Sequence, residues 1–241
     1  MAEPHPPSKS LQTEIAENLA RVNEQIHVAC DRHGRSQKDV RLIAVSKTKP
    51  IEAVLAAIDA GQIDFGENQI QDALTKIPSV PSNKAQWHFI GPLQSNKTKH
   101  LPGHFQWWHT LQRLDIAQRV SNKAVALNAS VDALIQVNVI NDPAKSGLTR
   151  DELPRLIDQL READLNGIRL RGLMTIGPHG GKDTEIRRCF SELRSLLEIT
   201  REKFNLDNFD QLSMGMTNDM EQAIAEGATM LRVGRAIFGS R

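Results

Sequence analysis

LIAVSKTKPIEAVLAAIDAG, residues 42–61, joins two different hydrophobic rhythms. LIAVS at 42–46 is a short, mostly apolar run without a polar face, as a strand covered on both sides requires. IEAVLAAIDAG at 51–61 has helical spacing and a glycine stop. Between them stands SKTKP, with Lys47 directly after the apolar run. A lysine there is either a cation in solvent beyond a finished strand or an amine held at the strand end for its chemistry.

The unit recurs along the chain. Further strands are predicted at 63–68 (IDFGEN), 86–91 (QWHFIG), 107–111 (WWHTL), 132–140 (DALIQVNVI), 168–176 (IRLRGLMTI), 209–214 (FDQLSM) and 230–238 (MLRVGRAIF). Helical patterns lie between them: a short one running to Ile77, others over 113–128 and 151–163, and one with Ile186, Phe190, Leu193 and Leu197 on one face. After the seventh strand, Thr217 reads as the N-cap of a helix that Gly227 ends. Ahead of the first strand, Leu11, Ile15, Leu19, Val22 and Ile26 mark an amphipathic helix, and residues 1–10 read as a disordered tail. Eight strands alternating with helices predict an α/β protein, a single TIM (β/α)8 barrel of parallel strands over 11–241. The last predicted strand ends three residues before the C-terminus, so the N-terminal helix is expected to pack in place of a final helix. An open doubly wound sheet is the alternative, but no GxGxxG follows the first strand.

Composition narrows the function classes. Lys plus Arg is 30 and Asp plus Glu is 29, which gives no electrostatic footprint for nucleic acid or an anionic membrane. The two cysteines, Cys30 and Cys189, form no CxxC pattern and fit a reducing compartment. The N-terminus lacks the apolar core of a signal peptide, and no apolar run approaches the roughly 20 residues of a membrane span. A cytoplasmic, soluble protein is expected. The chain contains no tyrosine.

Barrel sites lie at the C-terminal ends of the strands. That rule selects Lys47, the Glu67–Asn68 pair, His88, Met174, Ser213, Gly234 and Arg235. A Schiff base forms from a neutral amine, which desolvation and a nearby cation both favour. Lys49 lies two residues beyond Lys47, and Pro50 biases it towards extended backbone. A solvated lysine pair is the plainer reading. LSMGMTNDM at 212–220 places Ser213, a glycine and a helix start after strand seven, an arrangement that suits a phosphate and equally an ordinary turn. In strand eight, Arg232 and Gly234 share one face and Leu231 and Val233 the other. An arginine pointing into the barrel needs a carboxylate, a ligand or both, a structural salt bridge being the plainer case. His100, His104 and His109 have no acidic or thiol neighbour that completes a metal site. GPHGGKDT at 177–184 lacks the spacing of a P-loop and has Asp183 where Ser or Thr belongs. Trp107 and Trp108 read as core and surface packing rather than a base-stacking platform.

Taken in order, LIAVSKTKP, FGEN, WHFIGPLQSNK, KSG, GLM, LSMGMTNDM and RVGRAIFG resemble the pyridoxal 5′-phosphate (PLP) homeostasis proteins, single-domain barrels similar to the N-terminal domain of alanine racemase. The resemblance runs from about residue 11 to 241. It implies PLP as cofactor, bound as a Schiff base to Lys47. It implies phosphate contacts from Ser213 and the backbone near Met214, Gly234 and Arg235, with Arg232 facing the pyridine nitrogen. Asn68, Met174 and His88 would line the cofactor, and Lys49 and Lys145 match family lysines near the site. The family often has threonine where Arg235 stands, so a hydroxyl contact to phosphate would be missing here.

An arginine at the pyridine nitrogen weakens PLP as an electron sink. Racemases of similar fold add a tyrosine from a C-terminal domain of the partner subunit, and the related decarboxylases use a similar extra domain. This chain has no tyrosine and no room for that domain. The expectation is therefore a protein of PLP homeostasis, storage or delivery, not an enzyme. Its expected partners are PLP and apo-PLP enzymes or a regulatory protein, and a monomer is expected. The alternative is a small PLP-dependent amino-acid racemase or decarboxylase.

Overall fold

In the computed structural model, residues 6–239 are described. Eight strands, β1 (Arg41–Val45), β2 (Asp64–Glu67), β3 (Gln86–Phe89), β4 (Trp107–Leu111), β5 (Val131–Gln136), β6 (Ile168–Met174), β7 (Gln211–Ser213) and β8 (Met230–Val233), close into a barrel in sequence order. Every pairing is parallel, and β8 closes on β1 with Ile43 opposite Arg232 and Ala44 opposite Val233. The predicted TIM barrel is the fold.

Strand alternation sorts the core into two parts. Ile43, Trp107, Leu134, Met174 and Met230 fill the barrel interior as one small apolar cluster. Leu231, Val233, Ala44, Phe65 and Ala133 point outward, into the larger layer under the helices. A bulge between β5 and β6, at Ala133/Leu134, breaks the register. Gly172 allows it: its φ is +149°, and a Cβ there would lie 1.9 Å from the Gln211 carbonyl oxygen.

The helices are α1 (Lys9–Arg32), α2 (Ile51–Asp59), α3 (Ile70–Lys76), α4 (Leu114–Ala126), α5 (Glu152–Glu162), α6 (Asp183–Phe204), α7 (Met220–Ala225) and α8 (Arg235–Phe238). The expected N-terminal tail falls partly on residues 1–5, which lie outside the described residues, while Lys9 and Ser10 already belong to α1. Ser8 caps that helix, its hydroxyl accepting from the Leu11 N–H at 3.3 Å. α1 buries Ile15, Leu19, Val22 and Ile26 and packs between α2 and α7, where a final helix would lie.

Three expectations need correction. The run at 230–238 is not one strand: β8 stops at Val233, Gly234 breaks it, and RAIF forms a single helical turn, so the final helix is shortened rather than missing. β5 ends at Gln136, four residues early, where Val137 leaves the sheet for an isolated bridge with Leu148. Thr217 does not cap α7. That helix starts at Met220 after Asp219, whose carboxylate takes the Met216 N–H at 2.5 Å. Cys30 and Cys189 are buried free thiols, and burial raises that of Cys189 to about 11. No helix among the described residues is long and apolar enough to cross a membrane.

Candidate functional site at the C-terminal mouth of the barrel

Arg232 lies inside the barrel, 5% exposed. Its Nη1 donates to the Ser213 hydroxyl at 2.7 Å and its Nη2 to the Thr175 carbonyl at 2.9 Å. Both acceptors are neutral, and no ion pair to Arg232 occurs among the described residues. The salt bridge is therefore not what holds it. Burial lowers its pKa to about 10, with Asp219 the one carboxylate opposing that shift. Two of the five guanidinium N–H groups have partners in these bonds, which leaves donors for an acceptor in the mouth.

Below the arginine a polar chain runs down the barrel axis. Ser213 Oγ lies 2.9 Å from His109 Nδ1, His109 Nε2 lies 2.9 Å from His88 Nδ1, and His88 Nε2 lies 2.8 Å from Asp64 Oδ1. Burial lowers the pKa of both histidines, that of His109 furthest because His88 and Arg232 add to the effect. His88 thus joins the site through His109 and Ser213, not as a wall of the mouth. His100 and His104 lie apart from His109: one ends a 3-10 turn at Ser95–His100, and the other bonds its carbonyl. No group of three or more metal-ligating residues forms among the described residues. Trp107 stacks on His88 inside the barrel and Trp108 faces outward; both are buried, so neither is surface packing.

Lys47 follows β1 at this same end and is half-buried. The backbone around it makes a turn with Lys47 and Thr48 at its centre. Lys49 N–H bonds to the Ser46 carbonyl at 3.0 Å, closing a turn, and Thr48 adopts φ +64°. Beneath the turn lies a buried ion cluster. Lys76 Nζ donates to Glu67 Oε1 at 2.8 Å, Asp72 Oδ2 at 2.9 Å and the Ser46 carbonyl at 3.0 Å. The Ser46 hydroxyl donates to Glu67 Oε1 at 2.7 Å, and Thr48 N–H donates to Asp72 Oδ2 at 3.2 Å. Burial raises the Glu67 pKa against the pull of Lys76; at Asp72 burial acts in the same direction, but Lys76 and the Thr48 amide outweigh it.

The remaining candidates ring the mouth. Asn68 is half-buried just past β2, and Met174 ends β6 opposite Ser213. Ser213 turns its hydroxyl inward to Arg232 and His109, and Met214 N–H bonds to the Met230 carbonyl, so neither group points to the loop. Gly215 makes the turn after them. It has φ +90°, and a Cβ would lie 2.5 Å from that of Ala223. Gly234 precedes α8 and Arg235 is exposed at its first position, where helix N–H groups lack intrahelical partners. Lys145 ties two loops together, donating to the Gly177 carbonyl at 2.7 Å.

Asp64, Lys76, His109, Thr175 and Asp219 belong to this machinery and were not singled out from sequence as part of it. For His109 and Asp64 the strand alternation was a usable signal. For Lys76 the only signal was its i,i+4 spacing from Asp72, which usually marks an exposed pair.

The fold and this mouth define a class, the barrel of alanine racemase. The family model described as alanine racemase, N-terminal domain, matches residues 17–241. An alanine racemase of Clostridium difficile 630 shares the fold at TM-score 0.75 and 11% identity, over 95% of this chain and 57% of its own. A pyridoxal phosphate homeostasis protein of Escherichia coli K12 is 44% identical over 232 residues, 95% of this chain and 97% of its own length. The structure of PipY from Synechococcus elongatus with PLP bound has TM-score 0.79 and 35% identity, over 93% of this chain and all of that one. Within that class, the chain belongs to the pyridoxal phosphate homeostasis proteins.

Proposed function

We propose that this protein binds PLP at the C-terminal mouth and serves intracellular PLP homeostasis, by storage or delivery, without a dedicated turnover. The observation that carries the reading is Arg232: a buried cation fixed by two neutral acceptors, at the end of the barrel that also presents Lys47. A buried cation bonded only to neutral groups suits an acceptor such as a ring nitrogen. The relatives support the ligand, since one is named for pyridoxal phosphate and another was solved with PLP bound.

PLP supplies an aldehyde that condenses with amines and a ring that withdraws electrons. The chain's residues do the rest. Lys47, half-buried directly after β1, would supply the amine that holds the aldehyde. Arg232 would face the pyridine nitrogen as a donor and so disfavour a proton there, which would limit electron withdrawal. The turns after β7 and β8, at Gly215 and at Gly234–Arg235, would offer backbone N–H groups to the phosphate, with the Arg235 guanidinium at the rim; the Met216 N–H is already taken by Asp219. Asn68 and Met174 would border the ring. No tyrosine is available as a second acid–base group.

The test is a transfer assay. PLP-loaded protein is mixed with an apo-PLP enzyme whose recovered activity is followed, and amino acids are screened in parallel for racemised or decarboxylated products. Recovery of the enzyme with no product above the free-PLP background is expected. Steady amino-acid turnover at an enzymatic rate would overturn the reading in favour of a small racemase or decarboxylase.

A further inference from the structure

The two peptide groups that flank the Lys47 Cα are both held from β2 and α3. The Ser46 carbonyl belongs to the peptide before Lys47 and accepts from Lys76 Nζ at 3.0 Å. The Thr48 N–H belongs to the peptide after it and donates to Asp72 at 3.2 Å. An ammonium has three hydrogens, and Lys76 directs bonds to three acceptors: Ser46, Glu67 and Asp72. Glu67 in turn takes the Ser46 hydroxyl. Lys76 is 3% exposed and Glu67 fully buried.

A buried ion pair on its own is weak grounds for stability, because desolvation offsets the attraction. This cluster has features that a structural pair does not need. Two of its three residues bond backbone groups of the Lys47 turn, and the third bonds a side chain of that turn. The turn itself is strained. Thr48 is β-branched, yet it sits at φ +64°, a conformation kept only where the surroundings impose it.

We propose that Lys76 is a positioning residue for Lys47: with Glu67 and Asp72 it clamps both flanking peptides and so sets the direction in which the Lys47 amine leaves β1. This rests on Lys47 being the lysine that takes PLP. Misplacement of a reacting group by about 1 Å costs up to roughly a hundredfold in rate, so the clamp acts on how fast and how selectively Lys47 reacts.

Two readouts test it, one without cofactor. In the apo protein, amide hydrogen exchange at Thr48 is compared between wild type, Lys76→Met and the milder Asp72→Asn. In the loaded protein, the rate of PLP uptake and the share of borohydride-trapped label on Lys47 are compared. For folded Lys76→Met, Thr48 exchange is expected to rise and PLP uptake to slow, each by about tenfold or more, with label spreading to other lysines. Asp72→Asn should do the same to a smaller extent, and it decides the question if Lys76→Met does not fold. A purely structural role would lower the melting temperature and leave uptake and label distribution unchanged. That outcome, or unchanged Thr48 exchange, overturns the proposal. If wild type carries no label on Lys47, the functional reading fails instead, while Thr48 exchange still reports on the clamp.

Discussion

Arg232 donates to the Ser213 hydroxyl across 2.7 Å, and this one bond orients the hydrogens along the barrel axis. A guanidinium only donates. Ser213 accepts from Arg232, and its own hydrogen then has His109 Nδ1 as its acceptor. With Nδ1 accepting, neutral His109 carries its hydrogen on Nε2 and donates to His88 Nδ1. His88 then carries its hydrogen on Nε2 and donates to Asp64. Nitrogen-15 spectra should show both rings as the neutral Nε2–H tautomer in the apo protein. Ser213→Ala should release His109 from that tautomer, with a stability cost of about 1–3 kcal/mol for the acceptor and donor left unpaired.

The same chain fixes a pH dependence. Burial holds both histidines below their ordinary value of 6.5. Below that pH the unfolded chain binds more protons than the folded one, so stability falls as pH falls. The steepest possible slope is about 1.4 kcal/mol per pH unit for each histidine. The Asp64 carboxylate softens the His88 share by favouring its charged form. Urea unfolding between pH 7 and 5 measures it, and His109→Gln should flatten the curve.

Arg232→Lys keeps the charge and loses the planar fork. A single ammonium in that place is expected to leave Ser213 or Thr175 without its donor, costing about 1–3 kcal/mol of stability. PLP affinity should fall by about tenfold, or about 1.4 kcal/mol. Spectroscopic titration with PLP reads the affinity, and chemical denaturation reads the stability.

Thr48→Gly should be tolerated. Glycine reaches positive φ without the Cβ penalty of about 1–2 kcal/mol, and its own entropic cost of about 0.5–1 kcal/mol cancels part of that gain. The N–H that Asp72 holds is retained. Unfolding should show a change between zero and about +1 kcal/mol, with Lys47 labelling unaltered.

Gly215→Ala is the opposite case. The added Cβ would meet Ala223 at 2.5 Å and Leu231 at 2.8 Å from a backbone at φ +90°. Overpacking and backbone strain together should cost about 2–4 kcal/mol. Thermal unfolding shows the loss, and weaker PLP binding should accompany it because this turn borders the mouth.

The barrel was legible because eight βα repeats leave a rhythm that survives errors at element ends. The inward direction of Arg232 was legible too, from alternation with Leu231 and Val233. The end of β8 was not. RAIF is apolar whether it continues a strand or makes one helical turn, and four residues are too few for periodicity to decide. The partners of Arg232 were out of reach for another reason: Ser213 and Thr175 meet it only because β6, β7 and β8 lie side by side in the closed barrel. Lys76 was the least visible. In sequence it is a cation ending a short helix, and only the packing of α3 against β2 turns it under Ser46.

The lysine after β1 is proposed to hold the cofactor. The direct measurement is borohydride reduction of the PLP-loaded protein followed by peptide mass spectrometry, with Lys47→Ala alongside. A pyridoxyl group on Lys47 that disappears in the variant is the predicted result. Label absent from Lys47, or spread evenly over other lysines in wild type, would contradict it.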